Sequence, residues 1–320
     1  MITVVIPTVG RPTLRDTLAG LGSGMPVIVV DDTPAADLSL PDHQGPVQIV
    51  RSGGRGPAAA RNAGWRAAQT SWVVFLDDDV VPSPGWAEAV WKDLVDLPDD
   101  VAGSQGRIEV PRPADRRPTD AERNTAGLAG ALWATADMAY RRAVLESVGG
   151  FDERFPRAYR EDADLALRVS RAGHRLVRGS RVTTHPVRAD GFWASVRFQR
   201  GNADDALMRR LHGPGWRTAV GGGRGRLRVH TATTAAGLAA MTLAAAAALR
   251  TRERSGAAGV RVPAAVAVAA WAAMTAEFAW RRIAPGPRTP WEMWRMVVTS
   301  VVIPPVACAH RLRGEWRARR

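Results

Sequence analysis

The sequence predicts an α/β fold built on βαβ units, followed by an α-helical tail that associates with a membrane. Three observations indicate this architecture. Short apolar runs alternate with helical patterns near the start of the chain, acidic residues follow several of these runs, and the composition becomes rich in Ala, Arg and Trp after residue 205.

The alternation of strand and helix patterns is typical of βαβ units. We expect strands at residues 2–6, 27–30, 47–50 and 72–76, and helices at residues 13–21 and 58–68. The strand runs are β-branched and end in polar or turn residues. We therefore expect strands that are buried on both faces and whose C-terminal ends open onto a ligand crevice, where the functional residues should lie.

Composition divides the chain into three parts. The Pro- and charge-rich residues 111–120 predict a surface loop, and the Gly-rich stretches 213–216 and 221–228 predict a flexible linker. The expected organisation is therefore an α/β domain at residues 1–205, a basic Gly-rich linker at 206–230 and an Ala-, Arg- and Trp-rich helical tail at 231–320.

The basic charge belongs to the end of the chain. The formal net charge is +13, but residues 206–320 hold 19 Arg and 4 Glu, a net +15, which leaves residues 1–205 at −2. A near-neutral body with a basic, Trp-bearing tail fits an anionic membrane surface at least as well as a nucleic acid. We expect the membrane surface as a partner, and no nucleic acid.

Cys308 is the only cysteine. A single cysteine excludes an intrachain disulfide framework and a multi-cysteine zinc site. The sequence starts directly with an apolar strand pattern and lacks the basic region and the cleavage site of a signal peptide. We therefore expect a cytoplasmic catalytic domain.

Three consecutive aspartates, Asp77, Asp78 and Asp79, follow an apolar strand pattern in the run FLDDDVVP. Adjacent carboxylates at the end of a buried strand repel one another unless a cation or hydrogen bonds offset their charge. Oxygen ligands suit Mg²⁺ or Mn²⁺, and such an ion commonly bridges protein carboxylates and a substrate diphosphate. The alternative is an acidic loop or a helix N-cap without a metal.

Two further acidic clusters lie at the ends of predicted elements. Asp31 and Asp32 follow a strand, where a carboxylate can bind a nucleotide, although turn capping explains such a pair as well. Glu161 and Asp162 open the helical pattern of YREDADLALRVSRAG. Stabilisation of a helix N-terminus by negative charge is the alternative to catalysis there.

These motifs occur in an order that resembles the family 2 glycosyltransferases, a group of mostly inverting enzymes with the GT-A fold. The resemblance covers about residues 1–200 and consists of VVIPTVGRP, VIVVDD, AAARNAGW, FLDDDVVP, MAYRRAVLESVGGFDERF, the ED of YREDADLALR, and His185. It implies a GT-A Rossmann-like mixed sheet with flanking helices. The implied activity is hexosyl or related sugar transfer from a nucleotide-sugar donor, with a UDP-type donor favoured.

The resemblance also implies roles for particular residues. It implies donor contacts by Thr8, Asp31, Asp32, Arg61, Asp77 and Asp78. The implied Mg²⁺ or Mn²⁺ ligands are Asp79, Asp78 and His185. Asp162 is implied as the general base, with Glu161 in support. Acceptor contacts are implied at Gly149 and Gly150, whose small size permits close approach of a sugar, although a helix C-cap explains Gly149 equally well.

The implied mechanism needs groups on both sides of the reacting carbon. A metal offsets the charge that builds on the departing diphosphate, while a base removes the acceptor proton from the opposite side. Two acidic clusters about 80 residues apart can occupy both sides, whereas a single cluster could not.

The tail contains an uncharged run at residues 231–249. As a helix it would be about 28 Å long, which is just enough for a bilayer core. The run at 262–276 is shorter, and the run at 296–309 is interrupted by Pro304 and Pro305, so neither is expected to span a bilayer independently.

A transmembrane hairpin of the first two runs would place a basic loop outside, against the positive-inside tendency. That loop contains Arg250, Arg252, Arg254 and Arg261. We therefore expect helices that lie at the membrane surface, a location that also suits Trp271, Trp280, Trp291 and Trp294. A soluble helical subdomain or a dimerisation arm is the alternative.

The sequence therefore predicts a metal-dependent inverting glycosyltransferase at the cytoplasmic face of the cell membrane, with a glycan or lipid-linked acceptor in cell-envelope synthesis. Two other functions stay open. One is a membrane-tethered polyanion-binding protein with a degenerate, non-catalytic GT-A domain, which would show salt-dependent DNA binding without nucleotide-sugar binding. The other is a nucleotidyltransferase, which would release pyrophosphate.

Overall fold

The computed structural model describes residues 1–22, 24–35, 38–40, 45–188, 191–252 and 258–319, with residues 250–252, 258 and 259 described by their backbone alone. The chain forms two compact units. Unit 1 comprises Met1–Arg112, Asn124–Val187 and His212–Gly222, and unit 2 comprises Pro113–Arg123, Arg188–Leu211 and Gly223–Arg320. The division predicted from composition, with boundaries at residues 205 and 230, stays a prediction, and both positions lie within helices.

Unit 1 is built on one mixed sheet, which confirms the predicted fold class. The described strands are β1 (Ile2–Thr8), β2 (Val27–Asp31), β3 (Val47–Arg51), β4 (Trp72–Leu76), β5 (Val81–Pro82), β6 (Val101–Glu109), β7 (Asp137–Arg141) and β8 (Arg175–Thr184). Their order in the sheet is β3-β2-β1-β4-β7-β6-β8-β5. The strands β3, β2, β1 and β4 are parallel, whereas β7 is antiparallel to both of its neighbours, β4 and β6.

Helices lie on both faces of this sheet, and further helices form most of unit 2. The described α-helices are α1 (Leu14–Leu21), α2 (Pro57–Ala67), α3 (Trp86–Val95), α4 (Asp120–Ala126), α5 (Arg142–Ser147), α6 (Glu161–Arg171), α7 (Ala194–Arg197), α8 (Gly201–His212), α9 (Trp216–Ala219), α10 (Leu227–Arg252), α11 (Ala258–Ile283) and α12 (Pro290–Arg319). Short 3₁₀ helices lie at Gly127–Gly130 and Phe198–Arg200.

Alternation along β1 sends side chains to two separate cores. Val4 and Ile6 belong to a cluster that includes residues of α1 and α3, whereas Val5 belongs to a cluster that includes residues of α2 and α6. Since successive side chains of a strand point to opposite faces, one apolar run can fill both cores. Helices therefore pack on both faces of the sheet, and this packing fixes the position of its central strands.

One expectation about the strands is wrong. β3 is not buried on both faces, because Gln48 and Ile49 are exposed. It lies at the edge of the sheet, with β2 as its neighbour on one side. An edge strand is covered less completely than a central one, and the β-branched pattern of the sequence does not distinguish the two positions.

Unit 2 contains three long apolar helices, as expected for a membrane-associated tail. The stretches Leu227–Leu249, Val260–Ile283 and Pro290–Arg319 are each long and apolar enough to cross a membrane. The expectation that only the first of them reaches this length is therefore wrong. Arg254 lies outside the described residues, as do the side chains of Arg250 and Arg252.

The predicted interruption of the third run is also wrong. Pro304 and Pro305 lie inside α12, which is continuous from Pro290 to Arg319. A proline removes a backbone hydrogen bond and usually kinks or ends a helix. Here Pro304 is buried together with Ile303 and Ala307, so tertiary packing outweighs the local cost.

Candidate active site

The predicted donor residues lie at one edge of the sheet. Thr8 ends β1 and pairs in register with Asp31, which ends β2. Asp77 follows β4, the neighbour of β1 on its other side. Parallel strands point their carboxyl ends to the same edge, so the structure brings together acidic residues that are far apart in the sequence.

Asp78 is held by two protein donors. The hydroxyl Oγ1 of Thr8 donates a hydrogen bond to Oδ2 of Asp78 at 2.6 Å, and Nη1 of Arg11 donates to Oδ1 at 2.5 Å. Burial raises the pKa of Asp78, and the hydrogen bonds from Thr8 and Arg11 oppose that rise. A ribose or metal contact at Asp78 would have to share the carboxylate with these donors.

Asp31 and Asp32 form a second fixed acidic pair. The backbone N and Oγ1 of Thr33 donate to Oδ1 of Asp31 at 2.9 and 2.7 Å. In the described part of the chain, Oδ2 of Asp31 is buried without a hydrogen-bond partner. Asp32 accepts hydrogen bonds from Oγ of Ser52 at 2.7 Å and from the backbone N of Gly56 at 3.0 Å. A buried acceptor without a protein donor fits a ligand N–H group, such as that of a nucleotide base.

Arg61 joins the aspartate run to the acidic start of α6. Its Nη2 donates to Oδ1 of Asp77 at 2.7 Å, and its Nη1 donates to Oε1 of Glu161 at 2.7 Å. Arg61 and Glu161 are each 2% exposed. Burial alone would lower the pKa of Arg61, but the charges of Asp77 and Glu161 raise it above its ordinary value. The two acidic clusters therefore meet at one buried cation.

Glu161 and Asp162 open α6 with two carboxyl groups side by side. Asp162 accepts a hydrogen bond from the backbone N of Ala163 at 2.6 Å. Burial raises the pKa of both carboxyl groups, whereas Arg61 lowers both. The two groups titrate as a pair, and a raised pKa suits a carboxylate that must accept a proton near neutral pH.

Asp79 and His185 form a candidate metal site. Oδ2 of Asp79 lies 3.6 Å from Nε2 of His185, and Nδ1 of His185 lies 3.0 Å from the carbonyl oxygen of Pro186, a contact that orients the ring. Two ligands that are each about 2.1 Å from one ion lie between about 3 and 4.2 Å apart, so this pair fits a Mg²⁺ or Mn²⁺ ion.

The protein alone offers few ligands at this position. Among the described residues, no group of three or more His, Cys, Asp or Glu side chains surrounds a single metal position. Mg²⁺ is commonly bound by one or two carboxylates, with substrate phosphates and water as the other ligands. Asp79 and His185 therefore fit an ion that is bound together with a diphosphate.

Gly149 and Gly150 form the turn after α5, with φ angles of 79° and 71°. A Cβ atom on Gly150 would lie 2.5 Å from Oδ1 of Asn62 and 2.7 Å from Nε1 of Trp65, whereas one on Gly149 would meet nothing within 4 Å. Packing within the protein therefore accounts for Gly150, and backbone conformation accounts for Gly149. The acceptor contact stays a prediction.

Sequence reasoning missed Arg11 and Ser52 as members of the site. Arg11 lies in the motif VVIPTVGRP and Ser52 begins the run SGGRGP. Each follows the end of a parallel strand, β1 for Arg11 and β3 for Ser52. That position is the signal that could have identified them.

A further set of contacts holds the first turn of α6. Nε2 of His212 lies 2.7 Å from Oδ1 of Asp164. Arg160 has a left-handed backbone with φ of 80°, and its guanidinium lies 4.8 Å from the centre of the Trp216 ring. Positive φ at a non-glycine residue is strained and persists where the surroundings hold it in place. Asp162 thus lies between two anchored positions.

Comparison with known proteins identifies the relatives of the chain. The model of the family described as glycosyl transferase family 2 matches residues 3–164. The pre-mycofactocin glycosyltransferase of Mycobacterium tuberculosis, from strains CDC 1551 / Oshkosh and ATCC 25618 / H37Rv, is 34% identical over 191 residues, which cover 55% of this chain and 40% of that protein. An uncharacterized glycosyltransferase of Haemophilus influenzae is 31% identical over 97 residues, which cover 28% of this chain and 33% of that protein. The chain thus spans less than half the length of these relatives.

A solved structure matches the chain almost from end to end. The mannosyltransferase PcManGT of Pyrobaculum calidifontis, solved in complex with GDP-Man and Mn²⁺, aligns with a TM-score of 0.53 and covers 99% of this chain and 87% of that protein. The sequence identity is 20%, so this likeness concerns the fold.

Proposed function

The chain belongs to glycosyl transferase family 2, and on that premise we propose that it transfers a sugar from a nucleotide-sugar donor to an acceptor hydroxyl, with inversion at the anomeric carbon. The observation that carries the proposal is the position of Arg61, which is bonded both to Asp77 of the donor-side run and to Glu161, the neighbour of Asp162. Donor-binding and base functions thus meet in a single site.

The donor nucleotide binds at the carboxyl ends of β1 and β2. The buried Oδ2 of Asp31, which has no hydrogen-bond partner among the described residues, accepts an N–H group of the base. Uracil and guanine both present such a group, and the family resemblance of the motifs favours a UDP-type donor. Thr8, Asp32, Asp77, Asp78 and Arg61 line the base, ribose and diphosphate positions. Several of these side chains are already fixed by protein hydrogen bonds, so little ordering is needed when the donor binds.

Asp79 and His185, with Asp78 beside them, would hold a Mg²⁺ or Mn²⁺ ion, which offsets the negative charge of the departing diphosphate when it is bound. The ring of His185 is oriented by the carbonyl of Pro186, so its Nε2 is directed to Asp79 before a ligand arrives.

Asp162 acts as the general base. Its carboxylate takes the proton of the acceptor hydroxyl as the acceptor oxygen forms a bond to the anomeric carbon. The bond between that carbon and the diphosphate oxygen breaks with its electron pair, and the nucleoside diphosphate leaves from the opposite face. Glu161, held by Arg61, positions the first turn of α6, and the open space beside Gly149 leaves room for the acceptor.

The apolar tail suggests where the acceptor is found. A membrane-associated enzyme with a nucleotide-sugar donor fits a lipid-linked or cell-envelope glycan as acceptor, with unit 1 on the cytoplasmic side, where nucleotide sugars are expected. These assignments extend the proposed transfer reaction and rest on it.

Thermal shift with a panel of nucleotide sugars tests the proposal. In the presence of Mn²⁺, we expect one nucleotide sugar to raise the melting temperature of the wild-type protein, because a ligand that binds the folded state stabilises it. Asp31→Ala should abolish this shift, whereas Asp100→Ala, on the exposed surface of the same unit, should keep it. No shift with any nucleotide sugar would contradict the proposal.

A further inference from the structure

Along residues 290–301, the helix α12 has a mainly polar inner face and an apolar outer face. Its buried residues include the charged or hydroxyl side chains Glu292, Arg295, Thr299 and Ser300. Its exposed residues in the same stretch include the large apolar side chains Trp291, Trp294, Val297 and Val301. In water the reverse distribution is expected, since burying polar groups costs free energy and exposing apolar groups forfeits the hydrophobic effect.

The helices α10 and α11 also expose large apolar side chains, and most of their length is uncharged. Residues 231–249 and 262–276 contain no charged side chain. Large apolar side chains are exposed on both helices: Leu238, Met241, Leu249, Val262, Val266 and Val268. Only 11% of the apolar window of α10 and 22% of that of α11 is buried, compared with 39% for α12. Most of this apolar surface is therefore not covered by the protein.

Hydroxyl groups on the exposed side of α10 are bonded within the helix. Oγ1 of Thr231 donates to the carbonyl oxygen of Leu227 at 2.9 Å, and Oγ1 of Thr242 donates to that of Leu238 at 3.0 Å. Such bonds satisfy a polar group where no water is available, as is required in a hydrocarbon environment.

A buried cation in unit 2 is bonded to several polar groups. Arg282, near the end of α11, donates to Oγ1 of Thr299 at 2.7 Å, to Oγ of Ser300 at 3.1 Å, to Oδ2 of Asp120 at 2.8 Å and to Oγ of Ser195 at 2.9 Å. Charged residues of membrane-embedded helices face the protein interior and pair there. Charged and hydroxyl groups thus pair inside unit 2, whereas residues 231–249 and 262–276 carry no charge.

We infer that α10, α11 and the first half of α12 are inserted among the acyl chains of a bilayer, with their exposed apolar side chains in contact with lipid. A helix that lies at the membrane surface needs a charged or polar outer face. Residues 231–249 of α10 and 262–276 of α11 carry no charge, and the described hydroxyl groups of Thr231 and Thr242 are bonded within α10, which argues against the surface location expected from the basic loop. The inference rests on the membrane location in the proposed function and is independent of the transfer chemistry.

Site-directed spin labelling tests the environment of these helices. Cys308 is the only cysteine, so Cys308→Ser gives a background for single labels in the full-length protein. The labels are placed with Leu238→Cys, Val266→Cys and Val301→Cys, and the control is Val95→Cys, which is exposed on α3 of unit 1. Each protein is reconstituted in vesicles of equal parts phosphatidylcholine and phosphatidylglycerol.

Insertion predicts frequent collisions of the first three labels with oxygen and rare collisions with a water-soluble nickel chelate, and the reverse at Val95. Access of the nickel chelate to all three helix labels would overturn the inference and indicate a surface-bound or soluble helical unit. Exclusion of both reagents at all three positions would also overturn it, because it would show that protein, such as a second copy of the chain, covers this surface.

Extraction of the unsubstituted protein gives a second measurement that needs no variant. Inserted helices should stay in the membrane pellet in high salt and in alkaline carbonate and should be released by detergent. Release by salt or carbonate would overturn the inference, because surface charge rather than apolar burial would then hold the protein. Sugar transfer by the same preparations is assayed separately, so failure of insertion and failure of the proposed function give different results.

Discussion

Nη1 of Arg61 lies 2.7 Å from Oε1 of Glu161, and both side chains are almost completely buried. The same guanidinium donates to Asp77 through Nη2. Removal of one partner of a buried ion pair leaves an uncompensated charge, which is costly. Arg61 thus couples the stability of unit 1 to the geometry of its candidate active site.

The first prediction concerns this ion pair. At a pH above the raised pKa of Glu161, Arg61→Ala should lower the free energy of unfolding by about 3–5 kcal/mol, because the ionised Asp77 and Glu161 lose their shared cation. Denaturant unfolding followed by circular dichroism measures this change. Arg66→Ala is the matched control, since Arg66 lies on the same helix with a side chain that is 54% exposed, and should cost under about 0.5 kcal/mol. Equal effects of the two substitutions would contradict the role of Arg61.

Asp162→Asn should separate donor binding from chemistry. The substitution keeps the size of the side chain and removes the proton acceptor, so we expect kcat to fall by about 10²–10⁴-fold while the donor dissociation constant stays within a factor of about two. Turnover assays and calorimetric donor titration measure the two quantities. Asp100→Asn, on the exposed surface, should change neither. Full activity of the Asp162 variant would place the base elsewhere.

The pH dependence of turnover should reflect the raised pKa values at the start of α6. Burial raises the pKa of Glu161 to about 8 and raises that of Asp162. Because the base acts in its ionised form, kcat should increase as the pH rises through the titration of this pair. A rate that is constant from about pH 5 to pH 9 would contradict this account.

Stability should change with pH in the opposite direction. A carboxyl group whose pKa is raised on folding binds a proton more tightly in the folded state, so its contribution to stability is present at low pH and is lost as the pH rises from about 4.5 to about 8. Glu161→Gln removes this titration and should flatten the decline in that range. Thermal unfolding at a series of pH values measures both proteins, and identical slopes would be the contrary result.

The candidate metal site predicts a requirement for a divalent ion. Asp79→Ala and His185→Ala should each weaken donor binding in the presence of Mn²⁺, because each removes one of the two side chains that face each other across 3.6 Å. Calorimetric titration with and without a chelator measures the effect. Donor binding and turnover that are unaffected by the chelator would exclude this role.

Much of unit 1 could be predicted from the sequence, because its signals are local. The apolar run before Asp31 has the length and composition of a buried strand, and the carboxylate that follows it lies at the sheet edge, as expected. The same reasoning placed Asp77 at that edge, whereas the role of Thr8 was implied by the family resemblance alone. Strand ends are set by hydrophobic pattern, and parallel pairing then brings them together.

The pairing of side chains could not be predicted in this way. Arg61 and Glu161 are 100 positions apart, and their contact depends on how α2 and α6 pack on the sheet. The bond from Arg11 to Asp78 is likewise a product of tertiary structure. Neither hydrophobic periodicity nor secondary-structure propensity specifies such contacts between distant residues. The sequence identified Arg61, Glu161 and Asp78 as candidate site residues, but not which of them pair.

The tail illustrates the same limit. Pro304 and Pro305 indicate a break when read locally, but packing keeps α12 continuous. The polar inner face and the apolar outer face of α12 could not be predicted from the sequence either, because burial depends on which neighbours cover each residue. Composition alone therefore predicted an apolar tail without the orientation of its faces.

Product analysis is a direct test of sugar transfer by unit 1. The full-length protein is incubated with Mn²⁺, the nucleotide sugar that stabilises it and a lipid extract as acceptor source, and the products are identified by mass spectrometry. We expect nucleoside diphosphate and a glycosylated acceptor in equal amounts, both lost in Asp162→Asn. Release of pyrophosphate, or unchanged product formation by Asp162→Asn, would contradict it.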